Sequence, residues 1–203
     1  DQDGDIELLG HRLDVGRDRG GRELAALAGV LAAVEELEIV DHDHADAVLF
    51  AQAFRQQGWN KPESQFYAYL DQMIQGMRQV FVADYEGRPI GYVCLLPKAS
   101  HGPFSKMSIP YLSDFNVLVA FQHQGIGSML MDAAEQAAFD AGATDICLGV
   151  GLHPGYGAAQ RMYIKRGYVP DGSGIWYQNK LLPLKAPCFN DDDLVIYMRK
   201  ELH

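Results

Sequence analysis

Cysteine-rich segments, long apolar runs and an excess of basic residues are all missing from this chain of 203 residues. No apolar run approaches the roughly 20 residues of a membrane-spanning helix, and the first residues lack the basic and then apolar pattern of a signal peptide. The three cysteines are widely spaced, which argues against a disulfide framework or a zinc site, so we expect no metal. Cys94 and Cys147 lie in apolar runs and are predicted core residues. We therefore expect a cytoplasmic protein.

The charge balance narrows the range of partners. Lys and Arg number 17 against 27 Asp and Glu, which gives a net charge of −10. DNA and anionic membranes need basic patches, so we expect no nucleic acid and no membrane as the main partner. With 48% hydrophobic residues, the chain has the composition of an ordinary globular protein and the length for one well-buried core.

The N-terminal part of the chain differs from the rest. Residues 1–20 are rich in Asp, Gly and Arg without periodicity, which predicts a loose arm. Residues 22–36 predict an amphipathic helix, whose apolar face consists of Leu24, Leu27, Leu31 and Val34. This face needs a partner, either the main domain or a second subunit of a homodimer. We therefore divide the chain into an N-terminal extension, residues 1–36, and one domain, residues 37–203.

Beyond residue 37 the apolar residues alternate between helical and strand periodicity. Asp43 is predicted to cap the first helix, and Glu86-Gly87-Arg88-Pro89 is predicted to join two strands in a hairpin. The predicted strands are 38–40, 79–85, 90–96, 111–120, 145–152, 174–179 and 194–199, and the predicted helices are 45–57, 127–141, 156–166 and one that carries Phe66, Leu70, Ile74 and Met77. This order predicts a single α+β domain with a mixed sheet.

The segment most informative about function is Gln122 to Ser128, where a predicted strand turns straight into a helix. Gly125 and Gly127 lack a Cβ atom, so the backbone can turn sharply and approach a ligand closely. The free N–H groups of the first helical turn, together with the helix dipole, can then bind a pyrophosphate without a lysine. The spacing excludes a Walker A loop, which has Gly-Lys-Ser/Thr, and a Rossmann loop, because Leu130 stands where the third glycine would be.

Two motifs together resemble those of the GNAT superfamily of N-acetyltransferases. Gln122-His-Gln-Gly-Ile-Gly127 is similar to that family's (Arg/Gln)-x-x-Gly-x-(Gly/Ala) loop. The run Ala159-Gln-Arg-Met-Tyr163-Ile-Lys-Arg-Gly167-Tyr168 is similar to its second signature, Ala-x-x-(Leu)-Tyr-x-x-x-Gly-(Phe/Tyr). The resemblance covers roughly residues 37 to 200. It departs from the family at Tyr156, where members often carry an Asn that contacts coenzyme A, and at Val119, the usual position of a proline.

The resemblance implies the GNAT fold, in which a mixed, mostly antiparallel central sheet is flanked by helices on both faces. It also implies an acetyl-CoA-dependent N-acetyltransferase, in which a primary amine of a small molecule or peptide attacks the thioester directly. Acetyl-CoA would be the co-substrate, with its pyrophosphate on the loop. The residues implied to bind it are Phe115, Val117, Val119, Gln122, His123, Gln124, Gly125, Ile126, Gly127 and Ser128.

The resemblance also implies catalytic roles. Tyr163 matches the family's general acid, which protonates the leaving thiolate, although a tyrosine there could also merely pack its helix. Asp114 is the only carboxylate in the strand beside the reacting centre, and it could be a general base or a structural carboxylate. Strict alternation places Asp114 on the face opposite Phe115 and Val117, so a role in the site needs a β-bulge. A water relay without a dedicated base is a third option.

Other polar and aromatic residues are weaker candidates. Trp59 and Asn60 lie at the break between the first two helices and are predicted to form one wall of the acceptor site, although a tryptophan there could also be a peripheral core residue. Tyr177 and Asn179, on a late predicted strand, are the candidates for the opposite wall. His42, Asp43, His44 and Asp46 are predicted to lie in a strand-to-helix turn and not to form a metal site. Asp191, Asp192 and Asp193 are predicted to form a solvated turn. The less favoured alternative is that they attract a cationic acceptor.

Two alternatives to an enzyme of this kind stay open at this point. A non-catalytic acyl-CoA-binding sensor on the same fold would keep the loop and need no chemistry from Tyr163. A different nucleotide-binding fold would respond to ATP or NAD rather than to acetyl-CoA. The tyrosine at the matching position favours the enzyme.

Overall fold

A computed structural model describes residues 37–203, and the predicted arm and helix of residues 1–36 lie outside the described part. The helices are α1 (His44–Gln56), α2 (Glu63–Ile74), α3 (Ile126–Asp140) and α4 (Gly157–Lys165). The strands are β1 (Leu37–Asp41), β2 (Gln79–Tyr85), β3 (Arg88–Leu96), β4 (Tyr111–Val117), β5 (Asp145–Gly151), β6 (Val169–Pro170), β7 (Trp176–Tyr177), β8 (Lys180–Leu181) and β9 (Leu194–Glu201). Short 3-10 turns, Val119–Phe121 and Pro154–Tyr156, precede α3 and α4.

The strands form one mixed sheet in the order β1-β2-β3-β4-β5-β9-β7-β8, and β6 also pairs with β9. Every neighbouring pair is antiparallel except β4 and β5, which run parallel. Parallel neighbours need a crossover connection, and α3 provides it here. The expected α+β fold with a mixed, mostly antiparallel sheet is confirmed. Among residues 37–203, no helix has the length and apolar character to cross a membrane.

The sheet carries a hydrophobic core on each face. Successive side chains of a strand point to opposite faces, so Val82 of β2 joins the core under α1 and α2, whereas Ala83 joins the core under α3. The first core is rich in aromatic rings, contributed by Phe50, Phe54, Phe66 and Tyr92. The second core is mostly aliphatic and includes Leu130, Met131, Ala134 and Leu148. Cys94 and Cys147 are fully buried, as predicted.

α1 begins where Asp43 is predicted to cap it. The Asp43 carboxylate accepts hydrogen bonds from the Ala45 and Asp46 N–H groups at 2.7 and 3.1 Å. Asp46 Oδ2 accepts in return from the Asp43 N–H at 2.8 Å, which completes a capping box. His42 is buried beside it, with Nδ1 3.2 Å from Asp46 Oδ2 and Nε2 3.3 Å from the Phe66 carbonyl oxygen. These side chains hold the start of α1, and no group of three or more His, Cys, Asp or Glu within residues 37–203 is arranged to bind a metal.

α2 ends earlier than the predicted helix, which extends to Met77. Gly76 adopts φ 68°, its N–H donates to the Met73 carbonyl at 2.9 Å, and the Met77 N–H donates to the Gln72 carbonyl at 2.8 Å. This glycine C-cap stops the helix at Ile74. The predicted extension is therefore wrong, and Ile74 and Met77 are 69% and 49% exposed.

β4 is shorter than the predicted strand at 111–120. The Leu118 N–H still bonds to the Ile90 carbonyl at 2.9 Å, but the Phe121 N–H then bonds back to the Leu118 carbonyl at 2.8 Å. This local hydrogen bond closes the 3-10 turn and takes the chain out of the sheet. The strand therefore stops at Val117, directly before the loop that leads to α3.

The predicted strand at 174–179 is present only in part. Only Trp176 and Tyr177 pair, and Gln178 and Asn179 adopt φ 48° and 62°. Two consecutive positive φ values define a two-residue hairpin turn whose twist matches that of the flanking strands. The segment is therefore the β7–β8 hairpin at the edge of the sheet.

Candidate active site

β4 and β5 separate after a short stretch of parallel pairing. Only Tyr111 with Cys147 and Leu112 with Leu148 pair between them. Within the described chain, β4 beyond Leu112 has no ladder partner on the β5 side. The Val117 carbonyl accepts a hydrogen bond from Gln122 Nε2 at 3.0 Å, and backbone N–H groups on that side are left for another partner. A cavity of about 1080 Å³ lies at this opening and reaches the α1–α2 loop, the start of α3 and one side of α4.

The predicted phosphate-binding loop borders this cavity at the start of α3. Gly125 adopts φ 86°, a left-handed conformation that suits glycine, and α3 begins at the next residue. A Cβ atom on Gly127 would lie 3.3 Å from Phe115 Cζ and 3.6 Å from Met162 Sδ, so β4 and α4 approach this position closely. The first hydrogen bond of α3 runs from the Ser128 N–H to the Gly125 carbonyl at 2.9 Å. The N–H groups of Ile126 and Gly127 therefore have no carbonyl partner within the helix and, with the helix dipole, favour an anion here.

Most of the residues implied to bind coenzyme A line the cavity: Phe115, Val117, Gln122, His123, Gly125, Gly127 and Ser128. Three others lie outside its lining. Ile126 is buried in the core, and Val119 is exposed, with its N–H donated to Gln57 Oε1 at 3.1 Å. Gln124 Nε2 donates to the Ala120 carbonyl at 3.2 Å. These three residues support or flank the loop.

A β-bulge brings Asp114 to the cavity. The register between β3 and β4 shifts so that one β3 residue, Val93, lies opposite two β4 residues, Asp114 and Phe115. Asp114 has φ 41°, in the left-handed region. Strict alternation would place Asp114 and Phe115 on opposite faces, but both line the cavity. The bulge that a role for Asp114 in the site requires is therefore present.

The Asp114 carboxylate is surrounded by hydrogen-bond donors from several parts of the fold. They are Lys61 Nζ (2.6 Å) and Asn116 Nδ2 (2.9 Å) on Oδ1, and Gln65 Nε2 (2.8 Å) and the hydroxyls of Tyr69 (2.6 Å) and Tyr92 (2.6 Å) on Oδ2. The carboxylate thus ties the α1–α2 loop, α2, β3 and β4 together at the bulge.

These contacts keep Asp114 ionised. Burial alone would raise the pKa of Asp114, but the Lys61 ammonium and the hydrogen bonds from Lys61, Tyr69 and Tyr92 lower it below its usual value. Lys61 Nζ also lies 5.7 Å from the Phe54 ring centroid and 5.6 Å from that of Tyr92, within the range of cation–π attraction. A carboxylate stabilised in this way is a weak proton acceptor, which favours the structural one of its two predicted roles.

Tyr163 lies on α4 and lines the same cavity. It is only 7% exposed, and its burial, together with the nearby Tyr111 and Tyr156, raises the pKa of its hydroxyl above the usual value. Among residues 37–203 this hydroxyl has no hydrogen-bond partner. At neutral pH it is therefore a protonated group with an uncommitted proton, which suits a general acid.

The α1–α2 loop contributes Trp59, Asn60 and Lys61 to the cavity. The Trp59 ring stacks on Phe54, with centroids 5.7 Å apart and an interplanar angle of 15°. Lys61 anchors the same loop to the bulge through its ion pair with Asp114. The predicted acceptor wall is therefore a supported surface that faces the cavity.

Tyr177, predicted to lie opposite Trp59, does not line the cavity. Its hydroxyl is 3.3 Å from Asp191 Oδ2, and its strand, β7, is separated from β5 by β9. The early turn at Gln178 and Asn179 makes β7 part of an edge hairpin, which keeps Tyr177 away from the opening between β4 and β5.

Three residues that sequence reasoning missed as a group also line the cavity: His153, Tyr156 and Asp192. His153 Nε2 and the Tyr156 hydroxyl both lie 2.9 Å from Asp192 Oδ1. They meet because β5 and β9 pair antiparallel, and the Leu152 N–H bonds to the Leu194 carbonyl at 3.0 Å. A prediction of that strand pairing would have placed the residues after β5 beside those before β9.

Two cations on α4, Arg161 and Lys165, line the cavity as well. Within the described part of the chain neither forms an ion pair, whereas Arg166 is held by Asp132 and Glu135. These two cations and the start of α3 therefore make the cavity suitable for a phosphorylated ligand.

Comparison with known proteins identifies the family. The sequence model of the Acetyltransferase (GNAT) family matches residues 31–168, which is more than half of the chain. The chain therefore belongs to the GNAT acetyltransferase family. The match begins slightly before residue 37, where we place the start of the domain. No curated protein sequence matches the chain.

Solved structures share the fold. An N-acetyltransferase from Staphylococcus aureus Mu50 superimposes with a TM-score of 0.64 at 13% identity, over 83% of this chain and 100% of that one. The Salmonella typhimurium protein yncA, solved with its cofactor acetyl-CoA, gives 0.61 at 17% identity over 83% and 95%. The ribosomal-protein-alanine N-acetyltransferase from Brucella melitensis gives 0.60 at 18% identity over 81% and 99%. At these identities the likeness shows the fold alone, and it confirms the expected GNAT fold.

Proposed function

We propose that this protein is an acetyl-CoA-dependent N-acetyltransferase, in which a primary amine of a small molecule or peptide attacks the thioester directly. The proposal rests on one observation: three features surround the same cavity. They are a helix start that favours an anion, a stretch of β4 without a strand partner on the β5 side, and the protonated Tyr163. Family membership and a neighbour of the same fold solved with acetyl-CoA support the choice of acetyl donor.

The start of α3 fits the pyrophosphate of acetyl-CoA. Gly127 leaves a space that a Cβ atom would fill, since Phe115 Cζ would be only 3.3 Å away. The N–H groups and dipole of α3 favour the negative charge, and Arg161 and Lys165 supply two cations for the phosphates. The remainder of the donor would then extend along the unpaired backbone of β4.

The reaction needs a donor for the oxyanion and a proton for the leaving group. Attack of the amine places negative charge on the thioester oxygen, which backbone N–H groups of Phe115 to Val117 can stabilise. The C–S bond then breaks, and Tyr163 gives its proton to the thiolate. A thiol has a pKa of about 8.5 and an ordinary phenol about 10. Burial raises the pKa of Tyr163 above the ordinary phenol value, so this transfer succeeds only while the thiolate is positioned beside the hydroxyl. The proton that the amine loses then restores the Tyr163 hydroxyl through water.

Asp114, in this scheme, maintains the bulge and does not receive the proton of the amine. Its lowered pKa makes it a weak base, and the donors around it leave little room for a substrate proton. The proton of the amine leaves through water in the cavity, so the relay needs no dedicated basic side chain. Asp114 is therefore a positioning residue.

The test is an acceptor screen. Purified protein and acetyl-CoA are incubated with a panel of primary amines, and free thiol is measured. We expect thiol release that depends on the amine. Acetyl-CoA binding in calorimetry without thiol release for any amine would point to a sensor, and thermal stabilisation by ATP or NAD but not by acetyl-CoA would contradict the donor assignment.

A further inference from the structure

Asp192 is oriented by a histidine and a tyrosine that follow β5. The Gly155 N–H donates to His153 Nδ1 at 3.0 Å, so this nitrogen carries no proton and the ring proton is on Nε2. Nε2 then donates to Asp192 Oδ1 at 2.9 Å, and the Tyr156 hydroxyl donates to the same oxygen at 2.9 Å. Both ring nitrogens are engaged, so His153 orients the carboxylate and does not act as a base.

Two glycines make room for this arrangement. A Cβ on Gly151 would lie 2.3 Å from the Tyr156 ring, and a Cβ on Gly155 would lie 2.6 Å from the His153 ring. The two rings pack edge to face, with centroids 4.7 Å apart. Burial and the hydrogen bond to Asp192 raise the pKa of Tyr156 to about 12, so its hydroxyl keeps its proton and remains a donor. The backbone after β5 is therefore adapted to hold both rings against the carboxylate.

Asp192 keeps one oxygen free. The hydrogen bonds from His153 and Tyr156 lower the pKa of its carboxyl, so it stays ionised at neutral pH. Both bonds use Oδ1, and among residues 37–203 Oδ2 has no hydrogen-bond partner. The side chain is 81% exposed and lines the cavity. The Asp114 carboxylate is not available to a ligand cation in this way, because its charge is paired with Lys61.

From this geometry we propose that Asp192 binds a cationic group of the acceptor, so that the preferred acceptor carries a second ammonium or guanidinium besides the amine that is acetylated. The inference rests on the proposed function. The reacting nitrogen must be neutral when it attacks, and a carboxylate paired with it would hold its proton in place. A second cation keeps its charge throughout, and its contact with Asp192 positions the acceptor. The net charge of −10 attracts such a cation to the protein.

The test compares a diamine with the monoamine of the same length, 1,4-diaminobutane against butylamine. Asp192→Asn removes the charge but keeps an oxygen for His153 and Tyr156. Asp193→Asn is the matched control, because it removes the same charge from the next residue, which does not line the cavity. We expect the ratio of kcat/KM for diamine over monoamine to be about tenfold in the wild type and in Asp193→Asn, and to fall close to one in Asp192→Asn. Added salt should narrow the wild-type ratio.

Calorimetry of both amines on the protein saturated with coenzyme A separates this inference from the proposed function. Selective diamine binding that Asp192→Asn abolishes, without thiol release, would support the role of Asp192 while the transferase assignment fails. If thiol is released equally with the two amines, the role of Asp192 is overturned while acetyl transfer stands. The same holds if the diamine is preferred and Asp192→Asn leaves that preference intact. Absence of binding by either amine would overturn it as well.

Discussion

Two aspartates line the cavity, and their surroundings differ. The Asp114 side chain is 22% exposed and accepts hydrogen bonds from Lys61 and four neutral groups. The Asp192 side chain is 81% exposed and accepts two hydrogen bonds, both on one oxygen. Both carboxyls have a lowered pKa, so both are anions at neutral pH. The partners of each carboxylate therefore decide its use: the charge of Asp114 is neutralised within the fold, and that of Asp192 is available to a ligand.

The largest expected effect is the loss of stability in Asp114→Ala. Removing this carboxylate leaves the Lys61 ammonium and the Tyr69 and Tyr92 hydroxyls without their shared acceptor. We expect the free energy of unfolding, measured in urea, to fall by about 3 kcal/mol. Asp192→Ala, the matched change on the exposed carboxylate, should stay within about 0.5 kcal/mol of the wild type. Equal losses of stability in the two variants would show that the two carboxylates contribute equally to the fold, contrary to this prediction.

The next largest expected effect is on kcat, and it tests whether a residue other than the two aspartates transfers the proton to the leaving group. We assign it to Tyr163, so Tyr163→Phe should lower kcat by roughly 10²-fold with little change in the KM for acetyl-CoA. Tyr168→Phe is the control, since its hydroxyl donates to Glu135 Oε1 at 3.1 Å and lies outside the cavity lining. It should cost about 1 kcal/mol of stability and leave kcat near the wild-type value. A wild-type kcat in Tyr163→Phe would reduce Tyr163 to a packing residue.

A smaller effect concerns the part of the cavity where we propose that the pyrophosphate of acetyl-CoA binds. Gly125 and Gly142 both have positive φ, 86° and 84°, and a Cβ at either would meet nothing within 4 Å. Alanine at each position should therefore cost a similar 1–2 kcal/mol of stability, roughly, from backbone strain. Only Gly125 borders the cavity, so only Gly125→Ala should weaken acetyl-CoA binding in calorimetry, by about tenfold. The same loss in Gly142→Ala would show that the effect is not local.

The smallest expected effect is the pH dependence of the contribution that Asp114 makes to the free energy of unfolding. Its folded-state pKa is lowered from the usual 3.8, so on acidification the unfolded chain takes up the proton first. The stabilisation is therefore complete well above pH 4 and declines as the pH falls through that value toward the folded-state pKa. Urea unfolding at pH 7, 5, 4 and 3 should show the difference between wild type and Asp114→Ala shrinking with acid. A difference that grew with acid would contradict the sign of this linkage.

Much of the fold could be predicted from local patterns. Hydrophobic periodicity identified the helices and most strands, and Asp43 marked the start of α1 because a cap needs only its immediate neighbours. The boundaries failed where a short-range hydrogen bond ended an element. Gly76 stops α2, and the turn after Leu118 stops β4. Periodicity carries no information on such hydrogen bonds, so the predicted elements ran on too far.

By itself the sequence determined the glycine loop, the helix that follows it and the position of Tyr163, because each depends on residues a few places apart along the chain. Only the tertiary structure decided which carboxylate is free. The bulge at Asp114 depends on the pairing of β4 with β3, and its Lys61 partner is 53 residues away. His153 and Asp192 are 39 residues apart and meet through the pairing of β5 with β9. Strand register and bulges reflect the balance of packing over the whole sheet, so the charge left for a ligand becomes visible only in the folded protein.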